Sequence, residues 1–169
     1  MSLPRRVRAA AFSVPLRRAA IAAAVLGLAA PAAAQAAPAG CTGPASATWI
    51  NVVLEGMRSG RGQAAVTLYA DNSRKFLVKH GSLYVGRSQA SAGTTRTCIF
   101  LPAPGVYALA IYHDENGNQS FDRNAIGLPA EGYGFSNNPA TLVGLPSFRS
   151  VRLAVPRTGM TTRIQMKYP

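Results

Sequence analysis

The chain has 169 residues, 48% of them hydrophobic, with two cysteines and 18 basic against 6 acidic side chains. The length suits one domain able to bury most of its unfolded surface in a single core. The net charge of +12 owes five arginines to the stretch before Ala34; the remaining 13 bases and 6 acids give +7, spread singly along the chain rather than in the patch a nucleic-acid module needs.

The opening MSLPRRVRAAAFSVPLRR is cationic, Ala19 to Ala30 is apolar, and PAAAQAAPA follows. A basic start, a short apolar stretch and small residues after it predict a secretory signal peptide cleaved after Ala34, with Ala37 as second choice. The apolar run falls short of the roughly 20 residues of a spanning helix. Arg5-Arg6 and Arg17-Arg18 are twin arginines outside a full twin-arginine consensus. The expectation is a periplasmic or secreted protein with no transmembrane segment after cleavage, a linker over 35–44 and one domain over 45–169. In an oxidising compartment Cys41 and Cys98 predict a disulfide between the start of the domain and its middle. A lipid anchor on Cys41 is the rival, disfavoured because PAGC lacks an aliphatic residue three positions earlier.

From Ala45 the chain reads as short strands cut by Gly, Pro, Asn and Ser. Ser46–Met57 is the first and Gln63–Ala70 the second, with Val66, Leu68 and Ala70 to one side. Lys75–Gly86 is ambiguous between strand and crossing loop. Thr95–Pro102 follows, with Cys98 and Phe100 on one face. Gly105–His113 is apolar on both faces, as a central strand covered from each side would be. Asp114–Pro146 lacks periodicity and is too long for an idle connection, so something must pin it. Ser147–Val155 and Met160–Tyr168 alternate again and predict an antiparallel hairpin. About seven strands and no helical stripe after the leader predict an all-β fold, an antiparallel β-sandwich of immunoglobulin-like or transthyretin-like arrangement.

The irregular stretch opens with HDENGNQSFD. Side-chain oxygens recur at Asp114, Asn116, Asn118 and Asp122, the backbone carbonyl of Ser120 falls between them, and Glu131 is the nearest further acid. Alternating oxygens on a tight turn suit a hard divalent ion such as Ca²⁺. Glu115 is expected to point outward. The loop is no EF-hand: flanking helices are missing, position 6 is Gln119 and position 12 is Ala125. The same residues also make Asx turns with no metal at all.

This loop, followed by EGYGFSNN (Glu131 to Asn138) and PSF (Pro146 to Phe148), resembles a bacterial exported domain-of-unknown-function family numbered 2141. Gln119 stands where that family more often has Gly, and Leu128 lies inside its Gly-Pro step. The resemblance implies an exported β-sandwich and no particular activity.

Tyr133 and Phe135, flanked by glycines, read as aromatics plugging the end of the sandwich or, with Asn137 and Asn138, as a platform for a sugar or peptide. Enzyme chemistry has little material. His113 and His80 are the only histidines, His113 and Asp114 should face opposite ways on a strand, and Ser136 lacks a nucleophile-elbow context. The expected function is a non-catalytic envelope module, structural or binding an envelope protein or glycan, with Ca²⁺ as its one cofactor. The alternatives are a small envelope hydrolase acting through Asp114, Asp122, Glu131 and His113, and a glycan-binding module using EGYGFSNN.

Overall fold

A computed structural model describes residues 36–141 and 145–169. The leader expected over residues 1–34 lies outside them. The described elements are β1 (Thr48–Met57), β2 (Gln63–Ala70), β3 (Tyr84–Gln89), β4 (Gly93–Leu101), β5 (Gly105–Asp114), β6 (Gly132–Phe135), the helical turn α1 (Phe148–Val151), β7 (Arg152–Val155) and β8 (Met160–Gln165). Among the described residues no helix is long and apolar enough to cross a membrane.

The strands form two sheets, ordered β4-β1-β8 and β3-β2-β5-β6, with β7 pairing β5 beside β6. This is the predicted β-sandwich, with eight strands rather than about seven. Alternation decides its core. Ile50, Val52 and Leu54 of β1, Ile99 and Leu101 of β4, and Ile164 of β8 meet Val66 and Leu68 of β2 and Leu109 and Ile111 of β5. Each fully buried side chain of this kind contributes about 1.5–3 kcal/mol.

β5 is central, as its two apolar faces required. Its other face carries Ala108 into a second cluster with Tyr69, Phe76, Phe135 and Val151. Phe76 belongs to the ambiguous Lys75–Gly86 stretch, which supplies this cover first and becomes a strand only at Tyr84.

The C-terminal hairpin is a correction. Residues 148–151 form a helical turn, and strand begins at Arg152. β7 then pairs antiparallel with β5, whereas β8 crosses to the other sheet and runs parallel to β1, Val52 opposite Thr162. Two alternating segments joined by a turn fit either arrangement locally; the free edge of β1 and the burial of Ile164 and Met166 select the crossing. Backbone bonds between Tyr133 and Lys167, both 2.8 Å, tie β6 to the segment after β8.

Cys41 and Cys98 form a disulfide across 57 residues. Cys98 sits on the outer face of β4, where Thr42 also bridges to Ile99. The chain-entropy model gives such a closure roughly 4 kcal/mol.

Candidate functional site

β5 delivers two neighbouring polar residues to opposite faces, and both are completely buried. His113 points inward. Its Nε2 lies 2.8 Å from the carbonyl of Arg61, which only accepts, so Nε2 carries the proton. Nδ1 then accepts from the Tyr168 hydroxyl at 2.7 Å, while that hydroxyl accepts the Arg58 N–H. Both ring nitrogens are committed, which makes His113 a strand-end anchor.

Asp114 points the other way. Oδ2 accepts the N–H of Gln119 at 2.9 Å, and Nη1 of Arg87 stands 3.8 Å from it. Oδ1 is buried with no hydrogen-bond partner. Gly62, at φ +64, packs on this strand end, where a Cβ would collide with the Asp114 carbonyl oxygen.

The loop winds through successive Asx turns. Asn116 Oδ1 accepts the N–H of Asn118 at 3.0 Å, and Asn118 Oδ1 accepts that of Ser120 at 2.8 Å. Between them Gln119 takes a left-handed φ of 62°. Asp122 collects the amide groups of Asn116 at 2.7 Å and of Asn118 at 3.0 Å to each carboxylate oxygen. Glu131 comes back from nine residues beyond Asp122. Its two oxygens accept the N–H groups of Glu115 at 3.3 Å and Asp122 at 3.2 Å. Of the residues predicted at positions 114, 116, 118, 120, 122 and 131, the last five are linked by hydrogen bonds, and Asp114 is tied to the same loop through the Gln119 N–H. Among the described residues no three His, Cys, Asp or Glu side chains are gathered as a metal group by themselves. A cation here would need amide and backbone oxygens as well.

The electrostatics divide the acids. Burial raises the Glu131 carboxyl above its ordinary value; the Asp122 N–H opposes this, and the charges of Asp122 and Asp114 add to it. Glu115 goes the other way. Arg58 holds it down to about 2, with the Ser59 hydroxyl, 2.8 Å away, assisting against burial. Glu115 therefore turns away from the other acids, yet not outward to solvent as expected. Its side chain is 10% exposed and caged by Arg58 and Ser59.

Sequence reasoning missed Arg87 and Tyr112. Nη2 of Arg87 donates to the Tyr112 hydroxyl at 2.9 Å and to the Gln119 carbonyl at 3.0 Å, and that hydroxyl donates to the same carbonyl at 3.0 Å. Spacing carries no trace of this clamp, because Arg87 reaches Tyr112 only through the pairing of both strands with β2, where each stands opposite Ala65.

In EGYGFSNN the aromatics and the amides part company. Phe135 is buried in the second cluster and Tyr133 is half-buried against it. The Asn137 amide donates to the carbonyls of Ser150 and Arg152, at 3.3 and 2.8 Å. The Asn138 amide donates to Arg163 at 3.1 Å, and its oxygen accepts the Gln165 N–H at 2.8 Å. Both asparagines are left-handed, at φ 63° and 49°, and staple β6 to β7 and β8. Ser136 is fully buried: Oγ donates to the Val151 carbonyl at 2.5 Å and accepts the Leu109 N–H at 3.0 Å.

The model of a family described as an uncharacterized protein conserved in bacteria (DUF2141) matches residues 52–164, from β1 through β8. No curated protein and no solved structure matches the chain.

Proposed function

The chain belongs to the bacterial DUF2141 family, and from that premise we propose that it is an exported, non-catalytic β-sandwich module of the cell envelope whose Asp114–Glu131 loop is held by Ca²⁺. The observation that carries the reading is the buried, partnerless Oδ1 of Asp114, beside a loop of further carboxylate and amide oxygens. A buried carboxylate oxygen without a partner is costly, and a cation removes that cost. Asp114, Asp122 and Glu131 would supply charge, and Asn116, Asn118 and the Ser120 carbonyl neutral oxygens, towards the six to eight that Ca²⁺ takes. Export is supported by the Cys41–Cys98 disulfide and by the leader-like residues 1–34.

The hydrolase alternative is weakened by His113, whose two nitrogens are spent on Tyr168 and Arg61 on the face opposite Asp114. The glycan platform is weakened by Asn137 and Asn138, whose amide nitrogens are spent on backbone carbonyls.

The deciding experiment is a Ca²⁺ titration of chelator-treated protein, followed by melting temperature, beside Asp122→Asn. The module predicts a saturable rise that the variant lacks. A melting temperature indifferent to Ca²⁺ refutes the cation reading, and turnover of envelope material lost in the variant refutes the non-catalytic one.

A further inference from the structure

We infer that the outer face of the five-stranded sheet carries a binding site for an anionic amphiphile, a small molecule with an extended apolar body and one acidic end group. The inference is independent of whether the loop holds a cation. A cavity of about 980 Å³ opens on this face, within the range of small-molecule sites. Register builds it. Val85, Thr67, Ala110 and Phe135 stand opposite one another across β3, β2, β5 and β6, so the floor at Thr67 and Ala110 is low, and tyrosines rise around it at Tyr69, Tyr112 and Tyr133. Phe121 and Leu128 overhang from the 115–131 loop, and Leu77 and Val78 from the 71–83 segment.

Three properties define the occupant. First, the wall is predominantly apolar and its rings are not laid out as a platform. Tyr112–Phe121, Phe121–Tyr133 and Tyr133–Phe135 meet at 5.7, 6.4 and 6.0 Å with planes inclined by 54–70°. Such edge-on rings leave slots for a chain, whereas a sugar needs flat faces with amides beside them. Second, Val78 and Leu128 at the rim stay 48% and 52% exposed. Large apolar side chains left in water around a concavity mark a site that something apolar covers. Third, the charged side chains among the lining residues are Lys79 and Arg123, with no Asp or Glu. Lys79 and Arg123, the latter over the Phe121 ring and donating one N–H to the Gly127 carbonyl, give this trough two cations that complement an acid at the end of an apolar chain.

Calorimetric titration with decanoate below its micellar concentration, with decanol and with maltohexaose tests this. Decanoate should bind one per chain, decanol about threefold to fivefold more weakly, the equivalent of losing one partly exposed ion pair, and maltohexaose not at all. Leu128→Asp, on an exposed rim and therefore harmless to folding, should weaken decanoate at least tenfold at unchanged melting temperature. Lys79→Glu combined with Arg123→Glu should erase the preference for decanoate over decanol. Folded protein that saturates with neither acyl probe, binds maltohexaose instead, or forms a dimer that Leu128→Asp dissolves without any acyl binding overturns the inference.

Discussion

Asp114 and Gln119 are joined by a 2.9 Å hydrogen bond from the Gln119 N–H to Oδ2, and this bond closes the loop on its first residue while Oδ1 stays buried and unshared. The half-used carboxylate turns a run of polar residues into a candidate cation site.

Asp114→Asn should separate the two halves of that relationship. The amide can still accept the Gln119 N–H through its oxygen, so the loop closes, but the charge that would hold Ca²⁺ is gone. Wild-type protein should gain about 2.7 kcal/mol at Ca²⁺ a hundredfold above Kd, read by urea unfolding with and without chelator, and the variant should gain little. Because burial raises the Glu131 carboxyl, the gain should shrink as pH falls into the acid range, where that group keeps its proton. An equal gain in both proteins would place the ion elsewhere.

Glu115 predicts an acid limb of opposite origin. Arg58 holds its carboxyl at about 2, below the ordinary 4.5. A carboxyl depressed by folding stabilises the fold above its unfolded value and loses that contribution as pH drops from about 4.5 towards about 2. Glu115→Gln should flatten stability against pH over that window and cost roughly 0.5–1 kcal/mol at neutrality, since Arg58 is half exposed. A variant with the same acid slope as wild type would show that the pair contributes nothing.

Gln119 occupies a left-handed position at φ 62°. A side chain there costs about 1–2 kcal/mol relative to Gly, and the greater freedom of Gly in the unfolded chain returns part of it. Gln119→Gly should therefore stabilise by about 0.5 kcal/mol while leaving the Asp114 and Arg87 bonds to its backbone intact. Thermal unfolding checks the sign, and a loss would mean that the Gln119 side chain has a partner in solution.

Ser136→Ala should be among the costlier single-atom changes in this segment. It removes an oxygen that both accepts from Leu109 and donates to Val151 in a fully buried setting. Leaving those backbone groups unmatched costs about 1–3 kcal/mol, measured as a shifted urea midpoint with the Ca²⁺ response unchanged. A change below a few tenths of a kcal/mol would mean that water or a backbone shift fills the place.

Much of this protein was determined by residues close together in the chain. Two-residue alternation marked Gln63–Ala70 to the residue, and an unbroken apolar run marked Gly105–His113 within one, because a strand writes the cover of its faces into its own sequence. The same period put His113 and Asp114 on opposite faces, and two cysteines leave one intramolecular pairing. The oxygens of positions 114 to 122 were legible as well, since Asx turns form between residues two apart.

Partners distant in sequence were decided only by the tertiary structure. Alternation says that Met160–Gln165 is a strand, not that it lies parallel to β1 rather than against β7, because either edge would bury Ile164. Ser147–Val151 lost its strand to a helical turn that seats Val151 against β5. Arg58 on Glu115, Arg87 on the Gln119 carbonyl and the aromatic trough around Ala110 depend on register between strands tens of residues apart. Local sequence chooses the conformation of a segment through short-range sterics and hydrogen bonds; which segments then meet is settled by burial shared across the whole sandwich.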